Sequence, residues 1–291
     1  MDNKRIKRSA LGAKASRRLA NTVIYIVLIL ITVIWLFPFF GIVMESFKVN
    51  TQMMDGELFP EVFGFDNYIR LFKETDFLKW FGNTALMGVA TALFQTLFVL
   101  MMSYTLSRLR FKGRKSLMNF MLILGMFPGM LGMIILYNFL KDLGLTQANA
   151  VPGLILVGIA SSGMGYYVSK GFFDTIPKSL DEAARIDGAT RLQILFKVIL
   201  PLAKPIVIYT VLSAFMGPWG DFVFARYISM NNVDGMNVAV GLNSWLTVEA
   251  IDSMYTMFCA GGVLVALPVT LLFLFLQKYY VEGVTGGAVK G

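Results

Sequence analysis

The chain has 291 residues, of which 56% are apolar and 15% charged, and its mean hydropathy is +0.66. That balance excludes an ordinary soluble domain, which carries about 25% charged residues. With no histidine and a single cysteine, Cys259, the chain cannot build the usual transition-metal sites, nucleophile–histidine dyads or an internal disulfide. The net charge of +8 could signal nucleic acid, so its distribution has to be read along the chain.

Residues 1–20 form a basic segment containing Lys4, Arg5, Lys7 and Arg8, which resembles the start of a signal peptide. The charge-free run from Leu19 to Met44 is too long for a signal's apolar region of about 7–15 residues and ends at Glu45 without a small-residue cleavage site. It reads as a first membrane span, Asn21–Met44. Five more charge-poor stretches approach or exceed the roughly 20 helical residues needed to cross a ~30 Å hydrocarbon core: Asn83–Leu106, Ser116–Leu140, Asn149–Ser169, Lys204–Gly220 and Ser253–Gln277. No segment between them is long enough for a soluble domain. Residues 21–291 therefore read as one all-α, polytopic domain of six transmembrane helices.

With the N-terminus placed in the cytoplasm, the inner segments 1–20, 107–115, 170–204 and 278–291 hold 20 of the 26 Lys and Arg but 6 of the 18 Asp and Glu. This obeys the positive-inside rule and puts both termini in the cytoplasm. The basic charge is topological, and no nucleic-acid partner is implied.

The third span carries Gly125, Gly129 and Gly132 around Pro128, with Met126, Met130 and Met133 on one helical face. A kinked, pathway-lining helix would need such residues, and plain helix packing uses the same ones. The aromatics Phe127 and Tyr137 read as packing residues. The central parts of the spans contain no Asp, Glu, Lys or Arg, which weakens a self-contained ion-coupled carrier, because such carriers keep ionisable groups near the midplane. A carrier or channel using carbonyls and hydroxyls is the alternative reading.

The cytoplasmic loop 170–204 is the most informative stretch. Ile176-Pro177-Lys178 breaks the incoming helix. Ser179 and Glu182 have capping-box spacing, which predicts a helix from about Leu180. Asp181 and Glu182 occupy its first turn, where the helix dipole favours anions. Ala183 and Ala184 add helix propensity with almost no bulk. Glu182 and Arg185 share a face, and Gly188 supplies a left-handed stop. Thr190 can cap a second helix whose apolar residues Leu192, Leu195, Phe196 and Ile199 recur at helical spacing. Pro201 and Pro205 mark the bend into the fifth span. The result is a slim, rigid, charged knob suited to docking on another protein; the Leu192–Ile199 stretch is the part that could lie on headgroups.

Glu182-Ala183-Ala184, three residues, Gly188, nine residues, then Val198-Ile199-Leu200-Pro201 resembles the cytoplasmic signature of permease subunits in binding-protein-dependent ABC importers. Phe65-Asp66-Asn67-Tyr68, the basic Arg108–Arg114 connection and the Gly283–Gly291 tail are similar to the carbohydrate branch, maltose type. The resemblance implies a type I importer architecture in a bacterial cell membrane, with no catalytic residues or cofactor in this chain. It implies a second, usually different, permease subunit, two ATPase subunits and an extracytoplasmic sugar-binding protein as partners. Glu182, Ala183, Ala184, Arg185, Asp187, Gly188, Leu200 and Pro201 would couple to the ATPase. No Gly-Lys dipeptide occurs, so the chain has no Walker A loop of its own.

On the outer side, Pro218 and Gly220 are expected to end the fifth span, with Trp219 at the membrane–water interface. The family often has Trp-Asn-Asp/Glu-Phe there, and this chain has Trp219-Gly220-Asp221-Phe222. The polar segment of about Arg226–Asp252 resembles the loop that maltose-type permeases extend into their binding protein. Trp219, Asp221, Asn231, Asn232, Gly241 and Asn243, together with Asn237, are the candidates there for contact with the binding protein or the substrate.

Overall fold

The computed structural model describes residues 2–49, 58–126, 129–161 and 165–288, with side-chain surroundings for 17–49, 58–126, 132–161 and 165–279. Phe127, Pro128, and the side chains of Gly129 and Met130, lie outside what is described. Apart from a single antiparallel bridge between Lys48 and Phe63, the regular structure of the described residues is helical.

The apolar runs form long helices. Helix α1 (Asp2–Ser46) continues unbroken from the basic segment through the first expected span. A short amphipathic helix, α2 (Asp66–Glu74), precedes α3 (Phe77–Arg108), which starts six residues before the expected second span. The third expected span is divided into α4 (Arg114–Gly125) and α5 (Gly129–Asp142). A single 3₁₀ turn (Gln147–Asn149) leads into α6 (Ala150–Ala160) and then α7 (Gly165–Thr175). The loop 170–204 holds α8 (Ser179–Ile186), α9 (Arg191–Ile194), a π turn (Leu195–Ile199) and α10 (Leu200–Leu202). Helix α11 (Lys204–Gly220) coincides with the fifth expected span. Two short outer helices follow, α12 (Val223–Ser229) and α13 (Val238–Asn243), before α14 (Ile251–Ala288). Among the described residues four helical segments are long and apolar enough to cross a membrane. A fifth is the pair Arg191–Leu202 and Lys204–Gly220, bent by 90°. The bend falls at Ala203, where Pro205 in the first turn of α11 cannot donate the hydrogen bond that would continue the preceding helix.

Helix α3 is the hub, packing against α6, α7, α11 and α13. Its hydroxyls permit close approach: Thr91 Oγ1 donates to Ala214 O at 2.9 Å and Ser103 Oγ to Tyr166 O at 2.9 Å, so polar groups that hydrocarbon would penalise find partners on neighbouring helices. Helix α1 packs chiefly along α14, and its most hydrophobic stretch contains no buried residue. Its anchor is Asn67, which is buried. Asn67 Nδ2 donates to Ser46 O at 3.1 Å and Lys48 O at 2.7 Å, and its Oδ1 accepts from Thr256 Oγ1 at 3.0 Å. One amide thus ties α1, α2 and α14 together. Two main apolar clusters result. The larger joins the outer ends of α3, α11 and α14 to the outer loop. The other, around Tyr104, Phe173, Ile194 and Ile199, sits under the loop that carries α8.

Candidate functional site: an exposed loop helix and a polar cavity

Helix α8 begins one residue earlier than the spacing of Ser179 and Glu182 predicts, and no capping box forms there. The reason is local. The amides of Asp181 and Glu182, which a serine cap would have satisfied, already donate to Lys178 O at 3.0 and 3.1 Å, and Leu180 N donates to Pro177 O at 3.3 Å. Proline, needing no donor partner, starts the turn instead. The C-terminus ends as expected. Gly188 has φ +82°, its N–H donates to Arg185 O at 3.0 Å, and Ala189 N donates to Ala184 O at 2.9 Å, which is a Schellman closure. Immediately after, Thr190 and Gln193 form the reciprocal capping box of the next helix: Gln193 N to Thr190 Oγ1 at 3.3 Å, Thr190 N to Gln193 Oε1 at 2.8 Å.

This double termination holds α8 as a short knob. Glu182, Ala183, Arg185, Asp187 and Gly188 are exposed, while Ala184 is half-buried against the cluster of Phe173 and Ile194. Leu200 packs on that same cluster, and Pro201 is exposed beside the 90° corner. The residue that motif spacing did not single out is Ile186, 87% exposed at the tip of the helix. It is the most exposed large hydrophobe of an otherwise largely charged knob. Its signal in the sequence was its place directly before Asp187-Gly188, on the face away from Ala184.

The outer segment is folded rather than extended. Met236, Val238, Val240, Leu242 and Trp245 are buried, and α13 sits on α3. Gly241 lies flat against Trp80, where an added Cβ would fall 2.1 Å from the indole. Trp219 is buried too, in edge contact with Phe81 and tilted on Phe215, instead of standing at an interface. Asn237 is buried and acts as a lock. Its Oδ1 caps α13 by accepting from Val240 N at 2.9 Å, and its Nδ2 donates to Pro218 O at 3.1 Å and Asp221 O at 2.6 Å. Asn232 Oδ1 accepts from Asp234 N at 3.0 Å within a turn, and Asn243 Oδ1 accepts from Arg226 Nη1 at 3.4 Å. Asn231, in left-handed backbone geometry (φ +58°), lines an outward-open cavity of about 570 Å³ together with Arg226 and Tyr227.

Asp221 is the outer candidate that borders the interior. It lines a half-open cavity of about 270 Å³ between α3, α6 and α11, with Thr91, Gln95, Ser161, Ser213 and the Phe224 ring. Its Oδ1 accepts from Phe224 N at 3.2 Å, and burial pushes its pKa above the usual carboxylate value, opposed by the backbone N–H groups of Ala225 and Phe224. No cation pairs with it among the described residues. Gln95 Nε2 donates to Ser161 O at 3.0 Å. Hydroxyls, an amide, a carboxyl and an aromatic residue meet here with no second ionisable group among the described residues, in a volume just below the ~300–1,000 Å³ usual for ligand sites. Among the described residues no group of three or more Asp, Glu or Cys side chains could hold a metal ion.

The long apolar helices, the hub at α3 and the polar knob on one end define a multi-span membrane protein with a short, rigid, exposed helix between two of its spans. The chain belongs to the family of binding-protein-dependent transport system inner membrane components, whose pattern it matches over residues 100–286. It is similar to the maltodextrin transport system permease protein MdxG of Bacillus subtilis, at 34% identity over 97% of this chain and 100% of that one. It is also similar to the galactooligosaccharides transport system permease protein GanQ of the same organism, at 34% identity over 92% and 94% of the two chains. Its fold matches a chain in the crystal structure of a bacterial ABC transporter that imports the acidic polysaccharide alginate. There the TM-score is 0.77 at 27% identity, covering 91% of this chain and 98% of that one.

Proposed function

We propose that this chain is one permease subunit of an ATP-driven, binding-protein-dependent importer of neutral oligosaccharides, of the maltodextrin or galactooligosaccharide class. The observation that carries the reading is α8: a helix terminated at both ends, with Glu182, Ala183, Arg185 and Ile186 exposed. The names of the relatives and the cavity beside Asp221 support the substrate class. With Asp221 its only ionisable lining residue, the cavity suits neutral sugars better than acidic ones. In this reading the fold has six spans with both termini in the cytoplasm, and it works with a second permease, two ATPase subunits and an extracytoplasmic binding protein. Outer contacts with the binding protein fall to the exposed Asn231–Asn232 turn, and contact with sugar to Asp221.

In the cycle, closure of the ATPase dimer displaces α8. Because helices move as rigid bodies, the displacement tilts the spans between outward- and inward-facing arrangements. The chain itself breaks no bond; it supplies positioning and a path. The test is a cross-link from Ala183→Cys, on the exposed face, in a Cys259→Ser background, using a short thiol–amine linker in native membranes. An adduct with a Walker-motif ATPase, identified by mass spectrometry, is the expected result. An accessible thiol that yields no such adduct overturns the docking reading and favours a self-contained carrier.

A further inference from the structure

Helix α8 is only eight residues long and most of its surface faces water. Pro177 and Gly188 bracket it, and its apolar grip on the body of the molecule comes mainly through Ala184. Such an element would swivel under load unless something stiff joined it to a span. Its polar link to a membrane helix, among the described residues, is an ion pair. Arg108 Nε, in the last turn of α3, lies 3.1 Å from Asp181 Oδ2 in the first turn of α8, and the two side chains are 1% and 9% exposed. The same guanidinium donates from Nη2 to Ile176 O at 2.9 Å, the carbonyl just before Pro177. One residue earlier, Ser107 Oγ donates to Asp174 Oδ1 at 2.6 Å, and Lys170 Nζ holds the other oxygen of that carboxylate at 2.5 Å. The last two residues of α3 therefore grip the chain before α8 at two points and α8 itself at a third.

We infer that Arg108 and Asp181 form a permanently closed strut that transmits displacement of the docking helix to α3, making Arg108 a positioning residue for transport coupling. The physics favours a strut over a switch. A buried ion pair opened without a replacement partner leaves two uncompensated charges, a costly state, so the pair stays shut while its two elements move together. One planar guanidinium thus donates from Nη2 to Ile176 O while its Nε edge lies in ion-pair contact with Asp181, so a single rigid group spans the chain before α8 and α8 itself. On the far side, α3 packs against α6, α7, α11 and α13, so whatever moves α3 moves the helices around the Asp221 cavity. Neither side chain is part of the exposed docking face, so losing the strut should spare ATPase binding.

This inference rests on the importer reading, and the experiment separates the two. The complete transporter, with its second permease, ATPase and binding protein, is reconstituted in proteoliposomes and driven with maltotriose or galactotriose, whichever stimulates ATP hydrolysis by the wild type. If neither does, the importer reading falls, and the strut with it. If one does, Arg108→Gln and Asp181→Asn are expected to keep binding-protein-stimulated hydrolysis within twofold while sugar moved per ATP drops at least tenfold, and the exchanged pair Arg108→Asp/Asp181→Arg should recover at least a third of the wild-type ratio. An unchanged ratio in both single variants overturns the strut. Should these variants fail to reach the membrane, the pair Arg108→Cys/Asp181→Cys in the Cys259→Ser background answers alone. Bridging the two thiols with a short reversible linker should restore coupling that is lost in the reduced form. Transport that the bridge abolishes would mean that the contact must open during the cycle, and would also overturn the strut.

Discussion

The two ends of this molecule use the same kinds of polar residue for opposite purposes. Near α13, Asn237 turns inward and spends its amide on the chain's own backbone, while Asn232 closes a surface turn through Asp234 N and Asn243 accepts from Arg226. At the opposite end, on α8, Glu182, Arg185 and Asp187 are exposed beside an exposed isoleucine. A polar residue in a membrane protein's loop is therefore a poor guide to partnership by itself. What separates the ends is whether the backbone groups nearby are already satisfied. The α8 turn closes on itself through Pro177 and Gly188 and leaves Glu182, Arg185 and Asp187 exposed. The α13 turn depends on Asn237 and consumes it.

That contrast predicts that damage at the outer end is structural and damage at the inner end is functional. The largest expected effect is Gly241→Val, which would drive a branched side chain into Trp80. Overpacking of this kind should cost about 3 kcal/mol and appear as a lowered melting temperature of the detergent-solubilised chain. A variant with wild-type melting would mean that α13 is loosely held and free to move outward. Asn237→Ala comes next, at about 2 kcal/mol. It removes an N-cap and strands the carbonyls of Pro218 and Asp221. It should broaden or lower the melt without touching ATPase docking.

Ile186→Ser inverts this pattern. Because the side chain is exposed in the free chain, no change in melting is expected, whereas loss of its burial in a complex should weaken ATPase binding roughly tenfold. Titrating the purified ATPase onto nanodisc-embedded permease measures it. Equal affinities would remove Ile186 from the interface and leave the alanines and charges to carry docking.

Much of this was legible in advance, and the limits have physical causes. Long apolar runs have few alternatives, so the first, second, fourth and sixth expected spans fall within helical segments long and apolar enough to cross a membrane, and α11 ends where Pro218 and Gly220 said it would. The third, divided between α4 and α5, does not form one such helix among the described residues. Gly188 and Thr190 were readable because left-handed glycine stops and capping boxes are local. The Ser179 cap failed because a competing backbone donor arrangement began one turn earlier, at Pro177, and spacing alone cannot rank the two. Trp219 was misplaced at an interface because its burial depends on Phe81, far away in sequence. The outer segment looked like open loop because six residues of helix are too few to show a period. The apolar residues at 236, 238, 240 and 242 were the available clue to burial. The strut at Arg108 was unreadable for the same reason: its partner lies 73 residues on, and only the fold brings the two together.

The smallest effect should come from Asp221, and its sign follows from linkage. Burial raises this carboxyl's pKa in the folded chain above its unfolded value of about 3.9. The folded state then holds the proton more tightly, so ionisation costs stability as pH rises from the unfolded value through the folded one, with no further loss above it. Asp221→Asn keeps an oxygen that can accept from Phe224 N and removes the titration. Relative to wild type the variant should therefore gain stability across that window and hold the gain at neutral pH, read as a melting-temperature difference measured at successive pH values. A difference that stays flat from acid to neutral pH would mean the carboxylate is well solvated in the cavity. Loss of sugar transport in the same variant, with melting intact, would then assign the group to the ligand rather than to the fold.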